Sequence, residues 1–139
     1  MTAPDHIVFD AEPLIAHADD EPDSDVVEEY LDAVAVEDAT GYASCVNLAE
    51  IRYTIARKYD RVPADEYLDW LTDLGIEPVD VDRAWMAASE YVLNYNPALG
   101  DSFALATAEH VEAALLIGGD GDDDEITDVR IKRFRDGSA

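Results

Sequence analysis

The sequence predicts an α/β fold, a three-layer α/β/α domain with a central, mainly parallel sheet. Short apolar runs of strand length alternate along the chain with longer segments whose apolar residues recur at helical spacing. Strands that alternate with helices form parallel sheets, and helices cover both faces of such sheets. The chain has 139 residues, of which 48% are hydrophobic. This size suits a single domain over residues 1–139 with a core of its own.

The first half of the chain contains two predicted strands and three predicted helices. The apolar run at residues 7–9 stops at an acidic residue and is typical of a buried strand, and a short helix is predicted at 13–17. After a polar, proline-bearing loop, apolar residues at helical spacing predict a helix at 24–36. The run at 42–46 is partly β-branched and partly aromatic, which predicts a second strand. Apolar positions three or four residues apart then predict a helix at 48–59.

The second half repeats this alternation. Apolar residues at helical spacing predict a helix at 67–74, and a further helix is predicted from Trp85 to the Asn-Pro turn at 96–97. The residues at 101–112 are mostly small, which predicts a helix that packs closely on the sheet. Short apolar runs predict three further strands, at 76–81, 114–117 and 129–134.

The chain is strongly acidic. It has 9 Lys and Arg residues against 33 Asp and Glu residues, so its formal net charge is −24. Such a surface repels phosphate backbones, and the charge taken alone argues against a nucleic-acid partner. At about 1 M salt, however, the Debye length shrinks to roughly 3 Å. Because the composition resembles that of proteins from salt-loving organisms, we interpret the charge as an acidic coat suited to a halophilic habitat.

Eight of the nine basic residues fall into two groups. The groups are Arg52, Arg57, Lys58 and Arg61, and Arg130, Lys132, Arg133 and Arg135. One interpretation is structural: the first group stabilises a helix C-terminus and the second protects an edge strand. The other is a contact surface for phosphates or for an acidic partner.

The compartment is predicted to be cytoplasmic. Cys45 is the only cysteine, which fits a reducing environment. The first residues do not have the pattern of a signal peptide, and no stretch approaches the roughly 18 apolar residues of a membrane span.

Four acidic residues are distinguished by their positions: three lie close after predicted strands, and Asp101 opens the predicted small-residue helix. They are Asp10, Glu50, Asp101 and Asp120. Ligands of open α/β sheets bind at the carboxyl ends of the strands, so we expect these acids to meet at one edge. Gathered carboxylates repel one another unless a cation neutralises them, and oxygen ligands suit Mg²⁺ or Mn²⁺. Each acid also has an alternative role that involves only its own neighbours in the sequence. Asp10 and Asp101 would cap helices, Glu50 would form a capping box with Asn47, and Asp120 would lie in a turn.

Four segments resemble the PIN domain family, most closely its small VapC toxin nucleases, and they extend over nearly the whole chain. The segments are 7–10 (IVFD), 44–50 (SCVNLAE), 99–108 (LGDSFALATA) and 115–120 (LLIGGD). The third is the most specific, because Leu-Gly-Asp before a small-residue helix is common in that family and otherwise unusual. The chain departs from the family pattern in its last motif, which usually has Thr or Ser in place of Gly118. In addition, Asp122 and Asp123 lie close enough to Asp120 to compete for its role.

The resemblance implies a metal-dependent ribonuclease whose catalytic and metal-binding acids are Asp10, Glu50, Asp101 and Asp120. It also implies a cognate antitoxin that binds and inhibits the nuclease, and often a toxin homodimer. On this hypothesis Asp10 and Asp101 hold the principal Mg²⁺ or Mn²⁺. Asp120 completes the cluster or holds a second ion, and Glu50 ligates the ion or orients water. The residues predicted to orient carboxylates or water, unless they serve only as caps, are Ser44, Asn47 and Ser102.

Two other functions are compatible with the sequence. A phosphatase or phosphoryl-transfer enzyme would use Asp10 as nucleophile and Glu12 as acid. It would need a lysine to hold the phosphate, and neither Lys58 nor Lys132 is well placed in the sequence. A non-catalytic partner-binding module would use its acids only for solvation.

Overall fold

The computed structural model describes residues 5–118 and 126–135. The strands of these residues are β1 (His6–Phe9), β2 (Thr40–Ser44), β3 (Glu77–Val79), β4 (Ala114–Ile117) and β5 (Ile131–Arg133). The helices are α1 (Ala11–Ala18), α2 (Ser24–Ala35), α3 (Cys45–Lys58), α4 (Arg61–Leu74), α5 (Trp85–Tyr95) and α6 (Leu99–His110), and a short 3-10 helix, Val81–Arg83, precedes α5. None of the described helices has both the length and the apolar character needed to cross a membrane.

The strands form one sheet in the order β3-β2-β1-β4-β5, and every neighbouring pair is parallel. Val8 in β1 lies opposite Tyr42 in β2 and Leu115 in β4. The prediction of a mainly parallel sheet is confirmed. Because the strands share one direction, their carboxyl ends lie along one edge. The residues that follow β1, the middle strand, lie at the centre of that edge.

The side chains of β1 alternate between two apolar layers, as the period of a strand requires. Ile7 and Phe9 belong to a buried cluster formed with residues of α1, α2, α3 and α4. Val8 belongs to a second cluster, formed with residues of α5 and α6. The helices therefore cover both faces of the sheet, and the predicted three-layer arrangement is confirmed.

Helix α6 packs closely on the sheet because most of its buried side chains are small. Ala104, Ala106 and Ala108 are all buried, and the helix contacts β1, β2 and β4. This close approach brings the first turn of α6 to the carboxyl edge of the sheet, near the residue that follows β1.

Two element boundaries differ from the predicted ones in ways that matter for the site. β2 ends at Ser44 because Ser44 caps α3, with its Oγ accepting a hydrogen bond from the Asn47 N–H at 3.1 Å. The predicted capping box at Asn47 and Glu50 is therefore wrong, and Glu50 lies in the second turn of α3. Helix α6 begins at Leu99, so Asp101 lies inside its first turn.

Candidate active site

Asp10 lies at the centre of the carboxyl edge, in the turn between β1 and α1. Its backbone N–H donates to the Leu116 carbonyl of β4 at 3.0 Å, which continues the strand pairing up to this residue. Its carboxylate Oδ1 caps α1 by accepting a hydrogen bond from the Ala11 N–H at 2.8 Å. The residue is only 4% exposed. Asp10 therefore has the predicted capping role and also places a buried carboxylate where the strands end.

Asn47 connects the acids to one another. Its amide Nδ2 lies 3.3 Å from Asp10 Oδ1, 2.9 Å from Glu50 Oε1 and 3.1 Å from the Gly100 carbonyl oxygen. An amide nitrogen has two hydrogens, so these three acceptors share two donors. The Ser44 hydroxyl donates to Asn47 Oδ1 at 2.7 Å and so fixes the orientation of the amide. Asn47 is fully buried and joins β1, α3 and the start of α6.

The structure brings three of the four predicted acids together. The Asp101 carboxyl lies close enough to raise the pKa of Asp10 through a hydrogen bond and through its charge, and its charge also raises the pKa of Glu50. A small pocket of about 260 Å³ is lined by these three carboxylates among others. The fourth predicted acid, Asp120, lies outside the described residues, as do its competitors Asp122 and Asp123.

The electrostatics of this cluster favour a bound cation or proton. Burial raises the pKa of Asp10 well above its usual range, and the hydrogen bond and charge of Asp101 raise it further, while the Ala11 N–H lowers it. Burial also raises the pKa of Glu50; the hydrogen bond from Asn47 opposes that rise, and the charge of Asp101 adds to it. Two carboxyl groups share a hydrogen bond only when one carries a proton. A cation bound at the same place offsets the repulsion between the two carboxylates, so that neither needs the proton.

The chemistry of the donor set fits Mg²⁺ or Mn²⁺. Within residues 5–118 and 126–135, no three His, Cys, Asp or Glu side chains are arranged so that they could hold one ion between them. Magnesium, however, is commonly bound by one or two carboxylates, with water and substrate phosphate completing the shell. The paired carboxyls of Asp10 and Asp101 supply that minimum, and their oxygens are the hard ligands that these ions prefer.

A positively charged side chain, that of Arg135, lies at the rim of the same pocket. Arg135 follows β5, and its guanidinium pairs with Glu12, with Nη1 3.6 Å from Oε2, and with Glu21 through Nη2. Arg135, Glu12 and Glu21 line the pocket together with the three predicted site acids. The sequence placed Arg135 in a group of four basic residues, interpreted either as protection of an edge strand or as a contact surface for phosphates or an acidic partner, and did not connect it with the acids. The signal that could have located it is the direction of β5, because a parallel strand next to β4 ends at the same edge.

Several other polar residues lie elsewhere or make local contacts. The Ser102 hydroxyl donates to the Ala98 carbonyl at 3.0 Å, which is an ordinary bond within a helical turn. His6 lies 3.2 Å from the Tyr42 hydroxyl and His17 lies 3.0 Å from the Tyr67 hydroxyl, and neither lines the acid pocket. Lys58 pairs with Asp19, outside that pocket.

Comparison with known protein families assigns the chain to one of them. The sequence profile of the PIN domain family matches residues 7–129. The chain belongs to the PIN domain family. The matched span contains Asp10, Glu50 and Asp101, and the resemblance seen in the four sequence motifs is confirmed. No curated protein sequence matches this PIN domain.

Several solved structures share the fold of this PIN domain. A chain of VapBC2 from Rickettsia felis, bound to a DNA fragment from its promoter, has a TM-score of 0.76 at 15% identity, over 92% of this chain and 98% of that chain. A toxin-antitoxin complex from Klebsiella pneumoniae gives 0.69 at 18% identity, over 88% and 94% of the two chains. FitAcB from Neisseria gonorrhoeae gives 0.61 at 21% identity, over 92% and 97%. At these identities the likeness is one of fold.

Proposed function

We propose that this PIN domain is a Mg²⁺- or Mn²⁺-dependent endoribonuclease and the toxin of a toxin-antitoxin pair. The observation that carries the proposal is the convergence of Asp10, Glu50 and Asp101 in one pocket at the carboxyl edge of the sheet. Membership of the PIN domain family supports nuclease activity. The likeness to VapBC2 and to the Klebsiella pneumoniae toxin-antitoxin complex supports the toxin assignment.

Asp10 and Asp101 are the residues that would hold the ion. When bound, a divalent ion supplies positive charge that lowers the pKa of an attacking water and offsets the charge that develops on the scissile phosphate. Asp10 is held by its cap on α1 and by the Asn47 amide, so it needs little rearrangement to act as a ligand. Asp120 remains a predicted further ligand, with Asp122 and Asp123 as alternatives.

Glu50 is suited to the proton transfer. Its pKa is raised by burial and by Asp101, and an acid with a raised pKa is a better base near neutral pH. Asn47 holds the Glu50 carboxylate through a 2.9 Å hydrogen bond. In this scheme Glu50 accepts the proton of the attacking water, and the phosphodiester bond is hydrolysed without a covalent enzyme intermediate.

A groove beside the acid pocket supports the proposal of an antitoxin partner. A mainly apolar cleft of about 650 Å³ lies between α1, α3 and α4, and it shares Ile15 and Glu21 with the acid pocket. A protein segment that fills the cleft would therefore reach the rim of the acid pocket. The homodimer and the cytoplasmic location stay predictions of the sequence.

The proposal is tested by cleavage of RNA with Mn²⁺ at high salt. Wild type is compared with Asp10→Asn and Asp101→Asn, and Asp69→Asn is the matched control because it removes the same charge from an exposed position on α4. We expect cleavage by wild type and the control, and a large loss in the two site variants. Unchanged cleavage in both site variants would end the proposed role of these acids.

The two rival functions have their own tests. A phosphatase would form an aspartyl-phosphate on Asp10, which mass spectrometry of protein treated with a phosphate donor would detect. No lysine in the described part of the chain lines the acid pocket, which disfavours this reaction. A non-catalytic module would bind no Mn²⁺ in calorimetry at a salt concentration where the protein is shown to be folded.

A further inference from the structure

Arg135 is held at the rim of the acid pocket by two acids, from α1 and from the loop after it, and it also packs on the ring of its neighbour Phe134. Its Nη1 lies 3.6 Å from Glu12 Oε2 of α1, and its Nη2 donates to Glu21 in the loop after α1. Its guanidinium carbon lies 4.8 Å from the centre of the buried Phe134 ring. The side chain nevertheless remains 36% exposed. The guanidinium is therefore held in one place and is still open to a ligand.

Gly118 makes room for the Glu12 carboxylate that holds Arg135. A Cβ atom at position 118, just after β4, would lie 1.8 Å from Glu12 Oε2. No side chain fits at this position while Glu12 keeps its place. The absence of a side chain at 118 thus lets Glu12 cover the end of β4 and contact Arg135 from the pocket side.

The charges around the pocket give Arg135 a specific task. The other charged groups that line it are Asp10, Glu12, Glu21, Glu50 and Asp101, all of which repel a phosphate. Arg135 is the one cation among the described lining residues. Basic residues elsewhere pair with acids outside the pocket, as Arg52 does with Asp65 at 2.7 Å. A guanidinium has five N–H donors in a planar fork that matches phosphate oxygens, so the two carboxylates do not exhaust it.

We propose that Arg135 binds a phosphate of the RNA backbone next to the bond that is cut, and that Glu12 and Glu21 are positioning residues for its guanidinium. The inference rests on the proposed ribonuclease function and adds a substrate contact to it. The competing explanation is structural, namely that Arg135 only stabilises the packing of the segment after β5 against α1.

The experiment compares Arg135→Ala with Arg83→Ala. The control removes the same charge from the short 3-10 helix after β3, the edge strand on the opposite side of the sheet from β5. Binding of labelled single-stranded RNA is measured in EDTA over a series of salt concentrations, and KM and kcat are measured with Mn²⁺. We expect Arg135→Ala to weaken RNA binding and to raise KM about tenfold, with a smaller change in kcat. The slope of log affinity against log salt concentration should fall by about 0.7, the value for one lost contact to a single strand.

Gly118→Ala provides a test that leaves the net charge unchanged. The added methyl group displaces the flexible end of Glu12 from its place beside Arg135. We expect KM to rise in the same direction as in Arg135→Ala, by a smaller factor. Thermal unfolding of each variant shows whether it remains folded.

The outcomes separate this inference from the ribonuclease proposal. If wild type cuts RNA and Arg135→Ala has the same KM, RNA affinity and salt slope as Arg83→Ala, Arg135 does not bind phosphate. A lower melting temperature of Arg135→Ala together with that result would show that the role of Arg135 is structural. If wild type binds RNA through Arg135 and cuts none, the nuclease proposal fails and the phosphate contact stands. If wild type neither binds RNA nor cuts it with Mn²⁺, both are wrong.

Discussion

Gly100 lies directly against the carboxylate of Glu50, and a Cβ atom at position 100 would come within 2.1 Å of Glu50 Oε1. The Gly100 carbonyl also accepts a hydrogen bond from the Asn47 amide at 3.1 Å. The glycine of the Leu-Gly-Asp motif therefore has a physical explanation. It allows the first turn of α6 to approach α3 closely enough for Asp101 and Glu50 to line one pocket.

Substitution of Gly100 should separate activity from stability. In Gly100→Ala the new methyl group displaces the flexible end of Glu50, while alanine in a helix is favoured over glycine by up to about 1 kcal/mol. We expect an unchanged or slightly raised melting temperature and at least a tenfold loss of RNA cleavage. Leu99→Ala, at an exposed neighbouring position, is the control. Full activity of Gly100→Ala would show that the position of Glu50 does not matter.

Asn47 should stabilise the cluster through its hydrogen bonds to the acids. Asn47→Ala leaves Asp10 and Glu50 without their shared donor, and we expect a loss of about 1–3 kcal/mol in the free energy of unfolding. Asn47→Asp adds a further buried carboxylate and should cost more. Urea unfolding in EDTA measures both.

Addition of Mn²⁺ distinguishes the two Asn47 variants further. A cation offsets the extra negative charge of Asn47→Asp, so the difference in stability between the Asp and Ala variants should become smaller with Mn²⁺. Equal stability of the two variants in EDTA would contradict the repulsion on which this account depends.

Asp10 should make the ion-free protein less stable as the pH rises. Its pKa in the folded protein is raised by burial and by Asp101, whereas in the unfolded chain it is about 3.9. Its contribution to stability is therefore complete below the unfolded value and is lost as the pH rises through the folded value. Each tenfold increase in the proton affinity of Asp10 on folding corresponds to about 1.4 kcal/mol lost in this way.

The test compares the pH dependence of urea unfolding for wild type and Asp10→Asn in EDTA. The neutral amide has no such titration, so we expect Asp10→Asn to be the more stable protein at neutral pH although it is inactive. Its advantage should shrink as the pH falls. An advantage that does not change with pH, or a variant less stable than wild type at neutral pH, would contradict the assignment.

A parallel sheet brings the carboxyl ends of its strands to one edge, and this was enough to place Asp10, which follows β1, at that edge. Asp101 lies in the first turn of α6 and not at a strand end, so its meeting with Asp10 depended also on the close packing of the small-residue helix on the sheet. The sequence predicted Asn47 as a residue that orients carboxylates or water, but the particular contacts of Asn47 and of Gly100 could not be predicted in the same way. Their contacts depend on how closely α3 and α6 approach each other, which is a matter of tertiary packing. The capping box predicted at Asn47 failed because the helix begins earlier: Ser44, an equally good cap, holds the N-cap position and accepts a hydrogen bond from the Asn47 N–H.

The position of Arg135 at the acid pocket could not be predicted for a related reason. A basic group on a terminal strand is usually a surface feature, and its charge pattern does not distinguish one arginine from the next. Only the parallel pairing of β5 with β4 places the residue after Phe134 at the edge where the acids lie. The partners of Arg135, Glu12 and Glu21, come from α1 and the loop after it, more than a hundred residues away in the sequence.

The most direct test of the central claim, that Asp10 and Asp101 form one divalent-cation site, is a calorimetric titration with Mn²⁺ at high salt. Wild type, Asp10→Asn, Asp101→Asn and the exposed control Asp69→Asn are compared, each shown to be folded by circular dichroism. We predict that wild type and Asp69→Asn bind Mn²⁺ alike and that each site variant loses at least tenfold in affinity. Equal Mn²⁺ affinity in all four proteins would contradict the account.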